Sequence, residues 1–329
     1  MNSFRLNRRA VLAAASAMAA SLSCGAALAQ SGGTPLRVIL PLSAGSGVDT
    51  FVRLAQNALS RALGGQPVVI ENLPGAGGIT GTQAIVKAAA DGNTVGFISN
   101  NHSVNPSVFK SMPYDSLNDI TPISVVGGSP FVLVANPAKV PARNAKEMQA
   151  LLKGKPGSFN MASSGNGTII HLAGEMFVDA MGAQVQHIPY KGMGPMVTDI
   201  VSGQVDFGVV ALATAQGHLA SGRLKAIGLM GKQRVASLPE VPTIAEQGFP
   251  EVDVAGWFAM VAPKGLPAPQ AKRLHDAVVA AFNDPEVKAA MARQENFINP
   301  STPDAAAKFL KSEQDRYARL VAKANIKID

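Results

Sequence analysis

The sequence predicts an α/β protein of two lobes with largely parallel sheets, and three observations predict it. Nine short runs rich in β-branched residues alternate with helical patterns at a spacing that builds βαβ units. Four of those runs open into glycine-rich loops that lead directly into a helix. Proline punctuation at Pro130, Pro137 and Pro141, and again at Pro250 and Pro263, brackets a central portion that reads as the second lobe.

Taken in order, the predicted strands are 36–40, 68–71, 94–99, 131–135, 159–161, 185–188, 207–210, 225–229 and 257–261, each bounded by Gly, Pro, Asn or Asp. The helical patterns between them are 48–63, 81–90, 145–153, 169–181, 193–202 and 211–221. After Pro263 only helices are expected: 268–282, 286–294 and 304–324, the last opened by Ser301-Thr302-Pro303-Asp304 with cap and early proline in the usual order. Strands 131–135 and 257–261 are read as crossing between the lobes, so that the first lobe is discontinuous and the C-terminal helices return to it.

The four strand–loop–helix joints are 36–49 (LRVILPLSAGSGVD), 68–82 (VVIENLPGAGGITGT), 159–171 (FNMASSGNGTIIH) and 187–199 (HIPYKGMGPMVTD). Each leaves backbone N–H groups unpaired at a helix N-terminus whose dipole is positive, which makes it an anion seat. In open α/β sheets ligands bind beyond the carboxyl ends of strands, where all four loops fall.

Composition narrows the function. The 329 residues carry a formal charge of +7, but Arg5, Arg8 and Arg9 lie in the first 29; without them 26 basic residues face 22 acidic ones. No dense Lys/Arg stripe with interleaved aromatics remains, so no nucleic-acid partner is expected. The N-terminus reads as an export signal: a basic stretch 1–9, an apolar stretch 10–22, and Ala27-Leu28-Ala29 as an A-x-A cleavage site before Gln30. The apolar stretch is too short for a bilayer span. Arg8-Arg9 hints at twin-arginine export, and Ser21 stands where a lipobox before Cys24 needs leucine. Cleavage near Ala29 would leave a periplasmic chain with no cysteine, hence no disulfide, cysteine nucleophile or thiolate metal site. No later segment offers an apolar span of membrane length, so the mature chain is not expected to be membrane-embedded.

Candidate binding residues follow from the loops. In the first, Ser43, Ala44, Gly45, Ser46 and Gly47 offer hydroxyls and N–H groups, and Asp49 either caps the helix and ties the loop together or meets a ligand donor. The second loop, with Gly75, lacks the Walker Lys-Ser/Thr ending and a spaced G-x-G-x-x-G, so its glycines are assigned to a tight turn and close ligand approach. Ser99 and Asn100 close the third predicted strand. In the central portion Ser163, Ser164, Asn166 and Thr168 stand at a helix start, as caps or ligand donors, with His171 one turn in. A lone histidine there is more often a structural hydrogen-bonder than a base. Lys191 and Gly192 open the fourth loop, Lys191 either neutralising an anion or solvated. Trp257, the single tryptophan, is read as hinge packing. There is no G-x-S-x-G elbow and no H-E-x-x-H, and the five histidines lack metal-ligand spacing, so no catalytic residue, metal or cofactor is assigned.

Taken together, these stretches resemble the extracytoplasmic solute-binding proteins of tripartite tricarboxylate transporters, the Bug-type receptors. The resemblance runs through PLSAGSGVD (41–49), ENLPGAGG (71–78), ADGNTVGF (90–97), MPYDSLNDITPI (112–123), ASSGNGTIIHLAGEMF (162–177), HIPYKG (187–192), SGRLKAIGL (221–229), LPEVPTIAEQG (238–248) and WFAMVAPKGLP (257–267). It implies a type II periplasmic-binding, Venus-flytrap fold: a signal peptide 1–29, lobe 1 from 30–131 plus 256–329, and lobe 2 from 132–255. It further implies a small organic carboxylate held by backbone N–H groups and bridging waters. Loops 163–168 and 190–192 would complete the site, and the closed monomer would be recognised by membrane permease subunits. A periplasmic hydrolase on the same scaffold, or a sensor module presenting its ligand to a signalling partner, stands as the alternative. Three positions depart from the family pattern. Leu42 and Ser46 replace an aromatic residue and a glycine of the first loop, and Val210 stands where an aspartate is common. Without that acid to meet an ammonium group, the expected ligand is a dicarboxylate, hydroxy acid or aromatic carboxylate.

Overall fold

The β-branched runs pair into two mixed sheets in the computed structural model, which describes residues 34–324. The expected export segment, with its cleavage site, lies outside the described residues. The first sheet has the order β11-β4-β10-β3-β1-β2 and the second β7-β6-β8-β5-β9. In the first, β1 (Leu36–Leu40) lies parallel between β2 (Val68–Asn72) and β3 (Thr94–Ser99). In the second, β6 (Asn160–Ser163) lies parallel between β7 (Gln186–Pro189) and β8 (Phe207–Ala211). Each arrangement makes the central strand a topological switch point, where the following connections depart to opposite sides and leave a crevice at the carboxyl end.

The expectation of largely parallel sheets is corrected. β10 (Phe258–Pro263) runs antiparallel to both β3 and β4 (Ile120–Gly128), and β5 (Phe131–Ala135) runs antiparallel to both β8 and β9 (Lys225–Leu229). The cause is the double crossing: the chain leaves one sheet and re-enters the other from its ligand-facing end, so each returning strand is reversed. The crossing itself is made by residues preceding β5 and β10, where Ser129 and Gly256 exchange backbone hydrogen bonds of 3.2 and 3.0 Å. β5 then belongs wholly to the second sheet and β10 wholly to the first. The C-terminal region is not purely helical either, because β11 (Phe297–Ile298) pairs with the end of β4.

The helices pack their apolar faces on these sheets. In α1 (Gly47–Ala62), Val48, Phe51, Val52, Ala55, Ala58 and Leu59 are buried at helical spacing. Phe51 stacks on Phe282 of α8 (Ala268–Asn283) with ring centroids 5.0 Å apart, and α9 (Pro285–Arg293) adds Val287 and Met291 to the same core. α2 (Ile79–Val86) and α3 (Asn100–Val108) follow β2 and β3. α4 (Ala145–Gly154), α5 (Ile169–Met181), α6 (Met193–Ser202) and α7 (Leu212–Ala220) build the second core around Phe177 and Phe207. The last helix, α10 (Pro303–Ala324), contributes to both sides: Leu310 packs with Ile39, Ile98 and Trp257, whereas Tyr317 and Val321 join the core of the second sheet. No helix of the described residues is long and apolar enough to cross a membrane.

Candidate functional site

A cavity of about 560 Å³ lies between the two sheets, bounded by the loops that follow β1 and β6. Its walls are built largely from helix starts. Gly47 and Val48 open α1, Asn100 and Asn101 open α3, Ile169 and Ile170 open α5, and Met193 opens α6.

The first loop is held from behind. The buried Asp49 carboxylate accepts hydrogen bonds from Gly45 N (2.9 Å), Arg53 Nε (2.9 Å) and Asn72 Nδ2 (3.0 Å). Asn72 Nδ2 also donates to Leu42 O (3.1 Å). These bonds leave Ser43, Ser46 and Gly47 on the cavity wall. Behind them the second loop carries four successive residues at positive φ, Gly75, Ala76, Gly77 and Gly78. Only glycine adopts such angles without strain, and the strained Ala76 sits in the wall itself.

The N-terminus of α3 is tied to the crossing. Asn100 Nδ2 donates to Ala255 O (3.0 Å) and the Tyr317 hydroxyl (2.7 Å), and its Oδ1 accepts Trp257 N (3.0 Å). Trp257 Nε1 donates to the buried Glu313 carboxylate at 2.8 Å, so Trp257 packs at the second crossing. Neighbouring Asn101 reaches across the cleft, where its Oδ1 accepts Ile169 N at 2.8 Å.

The second lobe's half rests on a histidine pair. His171 and His187 stack with ring centroids 3.7 Å apart. Gly167 N donates to His171 Nδ1 (3.1 Å), which places the proton of the neutral ring on Nε2, 3.4 Å from Glu175. His187 Nε2 lies 2.6 Å from Ser163 Oγ, and burial, reinforced by the neighbouring His171, lowers its pKa to about 4. Thr168 caps α5 by accepting His171 N (3.3 Å). On the adjoining loop the Tyr190 hydroxyl donates to Asp199 (2.8 Å); burial and that carboxylate push its pKa up to about 12.

The lobes meet over the cavity. A Cβ on Gly192 would stand 2.9 Å from Ser43 Oγ, and one on Gly47 would stand 3.5 Å from both the Ala211 Cβ and the Phe258 ring. With the Asn101–Ile169 bond, these approaches define a closed cleft. α1 and α5 have side-chain caps, Ser46 and Thr168, whereas no side chain caps α3 or α6. The uncapped helix starts, together with Lys191, supply the positive potential of the cavity. Among the described residues no Asp or Glu lines it.

Of the residues singled out in the sequence, Ser43, Ser46, Gly47, Gly75, Ser99, Asn100, Ser164, Asn166, Thr168, Lys191 and Gly192 line the cavity. Six do not, and each stands elsewhere for a physical reason. Ala44 and Gly45 form the exposed outer turn of the first loop, whose inner face belongs to Ser43 and Ser46. Asp49 points backwards into the bonds that tie that loop. Ser163 is fully buried beneath Gly165 and His187. His171 is turned towards Gly167 and Glu175. Val210 is fully buried opposite Val132, and the next residue, Ala211, reaches the cavity. Sequence reasoning missed the apolar wall: Leu42, Phe109, Phe131, Ile169, Ile170, Met193, Ala211 and Phe258, with Asn101; Tyr190, from the expected loop 190–192, lines the cavity too. Nothing in the sequence marked Phe131 and Phe258, because their strands, FVLVA and FAMVAP, are apolar and buried throughout and show no alternation.

A two-lobed α/β scaffold with a closed interlobe cleft is the architecture of a solute-binding protein. The description "Tripartite tricarboxylate transporter family receptor" matches residues 51–326, and the chain belongs to that family of receptors, which are not enzymes. It is 36% identical over 296 residues to protein BugT of Bordetella pertussis, covering 89% of this chain and 90% of that one. The solved periplasmic binding protein BugD superposes with a TM-score of 0.84 at 31% identity, over 89% of this chain and 99% of that one. MatC from Rhodopseudomonas palustris, solved with bound malate, gives a TM-score of 0.81 at 26% identity, over 87% and 98%. The Venus-flytrap fold expected from the sequence is therefore that of its relatives.

Proposed function

We propose that the chain is a periplasmic receptor that captures a small organic carboxylate between its lobes and, as a closed monomer, presents it to the permease subunits of a tripartite uptake system. The observation that carries this reading is a closed cavity walled by helix N-termini, with Lys191 as its cation and no acid among the described lining residues. Such a wall favours an anion and offers an ammonium group no carboxylate to pair with. The ligand thus lacks an amino group, a reading that now rests on the whole lining rather than on Val210. The malate held by MatC supports the same ligand chemistry. The lobes are taken as 30–131 with 256–329, and 132–255, after cleavage of the export signal near Ala29.

The test is a melting-temperature screen of the mature protein against mono-, di- and aromatic carboxylates and amino acids. A ligand at about 100 times its Kd stabilises by ~2.7 kcal/mol. Carboxylates raising the melting temperature, with amino acids silent, is the expected result; stabilisation by aspartate or glutamate alone would sink the reading. Reconstituted uptake with the cognate permease, abolished when the receptor is omitted, tests delivery.

A further inference from the structure

The cavity is amphipathic, and its two ends differ in burial. Lys191 and Asn166 are exposed at the mouth, and Ser43 is partly so. Phe131, Phe258 and Ala211 are buried, and Phe131 and Phe258 stand where the two crossings enter their sheets. Phe131 pairs with Ala211 in the second sheet, and the Phe258 ring lies beside Gly47 and Phe51. A third ring, Phe109, stands against Gly77 of the second loop and closes the side wall.

Three phenyl rings and one cation set conditions on the occupant. A second carboxylate on the aromatic floor would be desolvated with no side-chain cation beside it, because Lys191, the one cation among the described lining residues, is exposed. The volume of about 560 Å³ falls in the range of roughly 300–1,000 Å³ of pockets that enclose drug-sized ligands. A short aliphatic diacid would leave much of that floor facing water. A flat ring would cover it, in the offset or edge-on contacts that aromatic pairs prefer.

We propose that the ligand is a monocarboxylic acid with an aromatic body, its carboxylate on the Lys191 side among the helix N–H groups and its ring on the Phe131–Phe258 floor beside Phe109. This rests on the receptor reading given above. It makes the three phenylalanines, and not the anion seat, the residues that set specificity.

Calorimetric titration of the mature protein with benzoate, 3-phenylpropionate, malate and adipate separates the two readings. An aryl acid binding at least about tenfold tighter than either diacid is the expected result, since apolar burial scales with the ring area covered. Malate or adipate binding as tightly as the aryl acids, or more so, overturns the aromatic assignment and leaves the receptor reading standing. No response to any carboxylate overturns both. Two substitutions locate the ring. Phe109→Ala and the more conservative Phe258→Leu should each weaken the aryl acid about five- to tenfold and acetate by a clearly smaller factor. Melting curves on both variants confirm that they fold, and equal losses for the aryl acid and acetate would overturn the assignment of the floor.

Discussion

Replacing Gly192 by alanine probes the closed cleft at its tightest approach. Gly192 has φ 129° and ψ 175°, a region open essentially to glycine alone, and an alanine forced into it carries ~1–3 kcal/mol of strain. That strain is present whether the lobes are open or shut, and at ~2–4 °C per kcal/mol it lowers the melting temperature of the ligand-free protein by several degrees. A second contribution exists only on closure, because the added Cβ would stand 2.9 Å from Ser43 Oγ. A closure penalty of ~1.4 kcal/mol weakens ligand binding about tenfold. The assay is a double-mutant cycle read by calorimetry, with Gly192→Ala, Ser43→Gly and the pair. In the Ser43→Gly background the cost of Gly192→Ala should shrink by ~1 kcal/mol, since the colliding hydroxyl is gone. Additivity of the two substitutions within ~0.5 kcal/mol would show that these residues do not meet in the bound state and would refute the closed-cleft reasoning.

Four other outcomes are expected. Asp49→Ala orphans the donors of Gly45, Arg53 and Asn72 and should destabilise the protein by ~2–4 kcal/mol in urea unfolding; a loss below ~0.5 kcal/mol contradicts the loop-tying role. Asn101→Ala removes the acceptor of Ile169 N across the cleft and should weaken binding about five- to tenfold, with a smaller effect on the ligand-free melting temperature. Lys191→Met should weaken every carboxylate ligand about tenfold and flatten the salt dependence of affinity; an unchanged salt slope argues against a direct charge contact. Burial lowers the pKa of His102 to about 4, against the opposing hydrogen bond to the Ser116 carbonyl, and His187 is lowered in the same way. The unfolded chain, with histidines near 6.5, then binds more protons than the folded one between these values, so stability falls as pH drops from about 6.5 towards 4. His102 alone contributes up to ~3 kcal/mol to that slope, and a His102→Gln protein of unchanged slope would refute the assignment.

The elements legible in the sequence are those in which local and global preferences agree. α5 and α6 fall on their expected spans because a polar or glycine start, an apolar face and a terminal glycine all mark them. α3 escaped notice because Asn100-Asn101-His102-Ser103-Val104-Asn105-Pro106 is a run of poor helix formers with an internal proline. It is helical because packing against α10 and the tie from Asn100 to the crossing override propensity. β4 was hidden by Pro122. That proline is tolerated because β11 reaches only Gly127 and Gly128, leaving β4 with a free edge at Pro122. The polar half of the cavity was readable loop by loop, since hydroxyl and glycine residues cluster in sequence there. Its aromatic half was not: Phe109, Phe131 and Phe258 are remote in sequence and line one cavity only once the double crossing is in place.

A grip made of peptide N–H groups has an evolutionary side. Among point substitutions only a change to proline deletes a backbone donor, so such an anion seat persists through most changes of the side chains around it. The apolar side chains that line the cavity, Phe109, Phe131, Met193 and Phe258 among them, set its shape. Gene duplication can therefore turn one such receptor into many with different cargoes, each inheriting the anion hold intact and diverging only in the shape of the wall opposite.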